Sequence, residues 1–520
     1  MATGNNNKRP LPDEAQMSEH QPAESKRRHS GCGQISSGQE ESVALKSILA
    51  DDADDTTAIS SFFEATWQVE PRVYRQCKAE DADGPLRRAV DLGWDGLATL
   101  LERSRGRFSN INNNEVASTT TAAAGTLDPP LFFRNQTPVQ FSEVQSTYNC
   151  SPFAAYLDGC SVVLNHADQL CPRLAALCED LQRSFPFCYC NAYLTPPGAQ
   201  AVPPHADDRD VFVIQLLGEK VWTVYKNVPI LYPYPHEQVG KGGLNVPSQV
   251  LEGATAIQTT LRQGDVLYMP RGYVHEARTE SNQPSFHATV AIATHDWTLA
   301  GNMSEIISRT LASNRDMRLA VDRHIGKTSA VSNPNAGNFR CNLSSLQVQV
   351  DSALDEIRKK VTAEQIARQL EVKYEAHRKM CHGARMALMR DDQTNQNARK
   401  GSNETVVGPK ASQRVFMETI VRAATDEERA SVKPPPCPHG AAGAASDRGL
   451  TVREETSLPL MAVVQGLKED RSIEVKVSGL RSFFDQSNID ESSRDMVCNL
   501  SMLSFIRAAV ELGALAVVDR

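Results

Sequence analysis

A mainly β protein with appended helices is what the sequence predicts: an antiparallel sandwich or barrel in the middle of the chain, then a helical segment, then a small helix-and-strand module. The first observation is a series of short apolar runs between about Gln140 and Trp297, CSVVLNH, YCNAYLTPPG, DVFVIQLLGEKVWTVY, GDVLYMPRG and FHATVAIAT, parted by Pro and Gly. Runs of this length at this spacing suit antiparallel strands joined by turns. The second is a change of period after Trp297. MSEIISRTLA and LDEIRKKVTAEQIARQLEVKYEAHRKM carry apolar residues at three- and four-residue intervals (Leu354, Ile357, Val361; Ile366, Leu370, Tyr374) among charges, the pattern of amphipathic helices. The third is length, since 520 residues suffice for several domains and a full core without disulfide staples.

In chain order, residues 1–56 are rich in Ser, Glu, Gln, Asn and Asp and poor in large apolar side chains, so a disordered tail is expected there. It contains a basic run, SKRRH, ending at His29, which suits a nuclear-import signal as well as a solvated tail. Order is expected from ISSFFEATWQVEPRVYRQ, where Phe62, Phe63 and Trp67 supply an apolar anchor at helical spacing. The β domain then occupies 57–300, with a low-complexity insertion around NINNNEVASTTTAAAG at 106–127. Residues 301–390 make the helical segment, whose stripes suit a bundle or a second copy of the chain. Residues 391–449 read as two polar linkers, DDQTNQNARKGSNETVVGPKAS and SVKPPPCPHGAAGAASD, flanking the short ordered stretch VFMETIVRAA. The end, 450–520, shows a helix-like LPLMAVVQGL, a strand-like IEVKV and MLSFIRAAVELGALAVVDR; a helix, a Gly and an apolar strand suggest a winged-helix-like domain.

A formal net charge of −8, from 55 Lys and Arg against 63 Asp and Glu, argues against direct nucleic-acid binding and favours a basic protein partner. The winged-helix-like end is itself more acidic than basic, so no DNA-binding role is expected of it. The start MATGNNNKRP lacks an apolar signal core and no apolar run reaches membrane-spanning length, so neither export nor membrane insertion is expected. The 12 cysteines, several among apolar neighbours, read as reduced thiols, and Cys437 with His439 lacks the second pair a zinc site requires.

The chemistry is expected at PPHADDRDVF, residues 203–212. If this segment is strand, His205 and Asp207 point to one face and offer an imidazole and a carboxylate side by side. GDVLYMPRGYVHEA supplies His275 just after a neighbouring strand, and two histidines with one carboxylate make the facial triad of non-haem Fe(II) oxygenases. A solvated acidic turn also reads ADDRD. Asp208 and Asp210 compete for the carboxylate role, and His287 in SFHATV is the rival histidine, although a lone His in an apolar strand is more often a core residue. In GEKVWTVY, Lys220 precedes bulky apolar residues; facing inward it would need an anion, facing outward it is an ordinary turn lysine.

NAYLTPPGAQAVPPHADDRDVFVIQLLGEKVWTVY together with LYMPRGYVHEA closely resembles the JmjC-type ribosomal oxygenases, a family of 2-oxoglutarate- and Fe(II)-dependent protein hydroxylases with a nucleolar subgroup. Members are also described as bifunctional lysine-specific demethylases and histidyl hydroxylases. The resemblance covers about Phe62 to Trp297 and is fainter beyond. It implies a double-stranded β-helix (jelly-roll, cupin-like) JmjC domain followed by a helical dimerisation domain and a winged-helix-like end, and hence a homodimer. It puts the Fe(II) ligands at His205, Asp207 and His275, the lysine for the far carboxylate of 2-oxoglutarate at Lys220, and further cofactor-site wall residues at Asn191 and Tyr193.

The implied function is oxidation of a protein side chain at an Fe(II) cofactor, with 2-oxoglutarate and O₂ consumed together and succinate and CO₂ released. Hydroxylation of a histidine in a ribosomal protein is the first expectation; removal of an N-methyl group from histone lysine is the alternative, and arginine hydroxylation is known in bacterial relatives. A reading of another class is a non-catalytic jelly-roll module that binds ribosomes or chromatin. The basic run, the acidic net charge and the nucleolar subgroup together imply a nuclear, nucleolar location and a basic substrate segment, a ribosomal protein or histone tail.

Overall fold

The computed structural model describes residues 41–50, 58–75, 84–108, 128–148, 150–241, 243–280, 283–292, 297–318 and 343–399, and in the C-terminal part 411, 415–416, 418–432, 460, 463, 465–470, 473–480, 499–511 and 514–518. Its centre is built from β1 (Arg72–Tyr74), β2 (Leu131–Arg134), β3 (Thr137–Pro138), β4 (Ser161–Leu164), β5 (Cys188–Thr195), β6 (Asp210–Tyr225), β7 (Thr255–Arg262), β8 (Val266–Met269), β9 (His275–Arg278) and β10 (Ser285–Ile292). Pairing is antiparallel throughout, in the order β1-β8-β6-β10-β5-β4-β2-β3, with β7 and β9 also on β6. The long β6 serves two sheets. Its first half lies between β8 and β10, and its second half lies between β7 and β9. Each of the five expected apolar runs contains a strand, and DVFVIQLLGEKVWTVY coincides with β6.

The passage from one sheet to the other depends on a local irregularity. Phe286 pairs with Leu217 and His287 with Gln215, which leaves Leu216 as an extra residue in β6. Gly218 follows at φ +64, where an added Cβ would lie 2.0 Å from the Pro284 carbonyl oxygen. Only glycine suits that combination of left-handed backbone and contact.

On the other side of the large sheet lies an aromatic core. Phe62 meets Tyr268 at 5.1 Å and Phe212 at 6.0 Å between ring centroids, and Trp67 meets Phe185 at 5.0 Å, so the expected anchor does hold the N-terminal segment to the sheet. The tail expectation needs correction. Val43–Leu49 is a helix with Ala44, Leu45, Ile48 and Leu49 buried. Ser42 caps it, and the Asp180 carboxylate accepts from Ser42 Oγ at 2.6 Å and Ala44 N–H at 2.7 Å. One short capped helix is invisible when composition is averaged over a polar tail. The insertion also starts later than expected, since Arg107 and Phe108 are buried. SKRRH, Cys437, His439 and residues 109–127 lie outside the described residues.

Past the sheets, Leu299–Ser313, Leu343–Lys360 and Ala363–Arg399 are helical. The polar stretch DDQTNQNAR, read as linker, continues the last of these helices to Arg399. Good helix formers such as Gln, Arg and Ala can extend a helix without an apolar stripe to signal it. This helix packs on Pro172–Leu181, where Tyr374 Oη donates to the Gln182 carbonyl at 3.2 Å and the His377 ring stacks on Phe187 at 3.7 Å. VFMETIVRAA is likewise not a detached island. It carries β11 (Ile420–Ala423), the middle strand of a sheet with β12 (Val475–Lys476) and β13 (Leu515–Val517). The helix Asn499–Glu511 precedes β13, as the tail's pattern predicts, and packs on the helix Pro152–Leu157. No helix among the described residues is long and apolar enough to cross a membrane. Seven described cysteines, Cys150, Cys160, Cys171, Cys178, Cys188, Cys190 and Cys381, are free thiols.

Candidate metal centre

His205 and Asp207 do not lie in a strand. They occupy the irregular approach to β6, where Pro203 and Pro204 supply no N–H for a ladder. A single bridge replaces the strand: His205 N–H donates to the His275 carbonyl at 3.1 Å and His275 N–H to the His205 carbonyl at 2.9 Å. That bridge brings together residues that are 70 positions apart. The Gly272 N–H holds the Asp207 carbonyl at 2.9 Å, and Ala206 N–H donates to the Val239 carbonyl at 2.9 Å. Gly240 completes the support, with φ +78 and a Cβ position 2.7 Å from the His205 Cα, so any larger residue there would press on the ligand-bearing segment.

Among the described residues, His205, Asp207 and His275 form the one cluster of three potential metal ligands, their donor atoms all within 4.8 Å of one another. Nε2 of His205 is 3.8 Å from Asp207 Oδ1, and Nε2 of His275 is 3.8 Å from Asp207 Oδ2. Both imidazoles are oriented from behind. Nδ1–H of His205 donates to the Pro203 carbonyl at 2.8 Å, and Nδ1–H of His275 to the Tyr273 carbonyl at 3.1 Å. Each Nε2 therefore presents a lone pair inward, the arrangement a metal-binding histidine needs. Burial pushes both imidazoles below their usual pKa range, so they are neutral. Burial opposes ionisation of Asp207, yet the Lys241 ammonium beside it holds its carboxyl well below the usual range. Two neutral nitrogens and one carboxylate fit a divalent metal of the non-haem iron class.

The rival carboxylates are employed elsewhere. Asp210 is fully buried and accepts from the Arg271 N–H at 2.9 Å and Gln68 Nε2 at 3.1 Å, and burial lifts its pKa to about 6. Asp208 is buried and lies 3.7 Å from Arg209 Nε.

Lys220 lies in the same cavity, whose lining includes Tyr193, His205, Asp207, Trp222, His275 and His287. It is 3% exposed, and its ammonium donates to Thr195 Oγ1 at 2.9 Å, with no anion against it among the described residues. Burial alone lowers its pKa to about 7. A buried cation of this kind fits an anionic ligand. Tyr193 lines the cavity and stacks on His287 with ring centroids 4.9 Å apart. Asn191 is not among the residues that line the cavity; its Oδ1 accepts from the His166 N–H at 3.0 Å.

His287 is neither a third ligand nor a satisfied core residue. Its ring faces the cavity beside Trp222 at 5.4 Å, and His287 Nδ1 and Trp222 Nε1 are buried without hydrogen-bond partners. Sequence reasoning also missed Thr195, Gly240 and Lys241. Thr195 shares the parity of Tyr193 along β5 and could have been found; Lys241, 34 positions from Asp207, carries no local signal.

Residues 164–299 match the family model of the JmjC domain. Curated relatives carrying the name bifunctional lysine-specific demethylase and histidyl-hydroxylase NO66 align with the chain: that of Drosophila mojavensis is 29% identical over 227 residues, 39% of this chain and 24% of the relative. That of Drosophila sechellia is 40% identical over 146 residues, 26% and 20% of the two chains, and that of Caenorhabditis briggsae is 34% identical over 161 residues, 31% and 20%. The matches thus span a quarter or less of the length of these relatives. Among solved structures, the Escherichia coli ribosomal oxygenase YcfD aligns over 88% of this chain and 98% of its own, at 14% identity and a TM-score of 0.33.

Proposed function

We propose that the JmjC domain of this chain is an Fe(II)- and 2-oxoglutarate-dependent protein oxygenase that hydroxylates a histidine of a ribosomal protein. The observation that carries the reading is the inward-facing His205, Asp207 and His275 cluster with the buried, anion-less ammonium of Lys220 in the same cavity. In this reading His205, Asp207 and His275 hold the iron and Lys220 holds the far carboxylate of 2-oxoglutarate, with Tyr193 as the adjoining wall. Iron and the keto acid, when bound, supply the oxidising power through decarboxylation by O₂. The protein's part is to aim three donors, pair one carboxylate and screen the site from water. Lysine demethylation is a second reading, favoured by the double name of the relatives. A scaffold without turnover fits poorly, because nothing in a mere binding module requires a buried lysine beside three convergent ligands.

The site test is succinate formation from 2-oxoglutarate. His205→Ala, Asp207→Ala and His275→Ala should each abolish it with the fold retained, while His287→Ala should keep its iron. Near-normal turnover in Asp207→Ala would overturn the ligand assignment. Mass spectrometry of ribosomal proteins and histone tails with and without the enzyme separates a gain of one oxygen on histidine from a loss of methyl on lysine.

The location we take to be the nucleus, with nucleolar accumulation, on the strength of SKRRH and the acidic net charge of −8, which suits a basic substrate. Deleting residues 1–30 should lower nuclear accumulation and leave peptide turnover unchanged. Homodimerisation through the helices after Leu299 is supported by Val348, Leu354, Val372 and Met380, all exposed on them, and light scattering tests it.

A further inference from the structure

Lys241 was selected by no motif, yet it touches the centre of the site. Its Nζ donates to Asp207 Oδ1, and its side chain is 42% exposed, so the charge stays partly in water and costs little to place there. The backbone that presents it is pinned. Ala206 N–H holds the Val239 carbonyl at 2.9 Å, Gly240 packs against His205 with no room for a side chain, and Lys241 and Leu244 close a turn through the Leu244 N–H to Lys241 carbonyl bond at 3.2 Å and the Gly240 N–H to Leu244 carbonyl bond at 2.6 Å. The reach of the ammonium to Asp207 is thus preset by the segment that supports His205.

The other neighbours of the carboxylate do not orient it. Both histidines spend their Nδ1–H on backbone carbonyls, so the Nε2 atoms 3.8 Å from Oδ1 and Oδ2 present lone pairs to it. Among the described residues Lys241 is the hydrogen-bond donor to the Asp207 side chain. Without it, rotation about the Cβ–Cγ bond is opposed by nothing polar.

We propose that Lys241 is a positioning residue for the metal site: it fixes the Asp207 carboxylate by holding Oδ1, so that Oδ2, the oxygen facing His275, is the one offered to a metal. The inference rests on the proposed iron site. Hydrogen bonds to metal-binding carboxylates are typically worth about 10- to 100-fold in metal affinity. The opposing effect, repulsion between the ammonium and a bound cation, is weakened because Lys241 is solvated and screened.

The experiment is a Co(II) titration of the full chain, read by visible d–d absorption, with circular dichroism to check folding. Lys241→Met should bind Co(II) about 10- to 100-fold more weakly and with an altered band shape, and Lys241→Arg should restore both to within a few-fold, since a guanidinium also donates to a carboxylate. Unchanged or tighter binding by Lys241→Met, with the same spectrum, would show that the lysine only fills space beside the carboxylate and would overturn the proposal. If the wild-type chain takes up no Co(II), the iron-site reading falls and this proposal falls with it; if wild type binds and the variant matches it, the proposal alone fails.

Discussion

Lys220 donates to a hydroxyl where an ammonium would ordinarily meet an anion, and burial has brought its pKa down to about 7. A dicarboxylate arriving beside it restores the missing charge and raises that pKa, so above pH 7 binding must take up a proton. The sign follows: apparent affinity for 2-oxoglutarate holds steady below about pH 7 and falls as pH rises beyond it, by up to about tenfold per unit. Calorimetric titration of metal-loaded protein across pH 6 to about 9 checks this, and proton uptake should show as a dependence of the heat on buffer ionisation. A flat profile would mean that the ammonium is already charged before binding. Lys220→Ala should remove the pH dependence and raise the cosubstrate requirement by a few kcal/mol, about tenfold per 1.4 kcal/mol, while metal binding survives. The residue's chemistry was legible in the sequence as a lysine ahead of bulky apolar neighbours. Its direction was not.

That direction is decided by the shape of β6. Its cavity-lining residues are Val211 and Val213 in the first half and Lys220 and Trp222 in the second, odd numbers and then even. Strict alternation from Val211 would turn Lys220 away from the cavity; the extra residue at Leu216 reverses the parity and turns it in. No bulge is announced by local composition, so alternation alone could not choose. The same reasoning explains the HxD segment, which was read as strand and is instead a proline-fixed approach held by one bridge to His275. The three ligand identities came from spacing and resemblance; their support, in particular the segment Val239–Lys241, is a long-range contact that spacing does not encode. Gly240 is the test of that support. Gly240→Ala would place a methyl group within 2.8 Å of the His205 Cβ on a backbone at φ +78. We expect a destabilisation of about 1–3 kcal/mol by chemical denaturation and, in the folded fraction, loss of metal affinity. Wild-type metal binding in this variant would mean that His205 is positioned by the His275 bridge alone.

At the scale of the whole molecule, the C-terminal module is fastened to the part of the chain that precedes the large sheet's long strands, far from the cavity in sequence, through the helix Asn499–Glu511. Glu511 pairs with Arg105 at 3.0 Å, and Arg507, 2% exposed, lies over the Phe153 ring at 4.9 Å and the Phe416 ring at 5.2 Å while its Nε donates to the Val415 carbonyl at 2.9 Å. Arg507 therefore touches all three partners of the joint: Phe153 on the helix Pro152–Leu157, Val415 and Phe416 ahead of β11, and its own helix. Composition hid this, because VFMETIVRAA looked like an island between polar linkers when its strand completes a sheet with chain more than 50 positions later. A buried guanidinium that loses its partners, or partners that lose their guanidinium, costs about 3–5 kcal/mol. Arg507→Ala should therefore loosen the whole module at once. Limited proteolysis would read it as faster cleavage within the helix Asn499–Glu511, and the unfolding transition should split in two, because the β sheets keep their own core around Val211, Trp222 and Leu267. Metal uptake at His205, Asp207 and His275 should stay at the wild-type level, since none of the residues that orient them lies in the joint. Loss of metal uptake together with docking would instead make the module part of the unit that holds the metal site together.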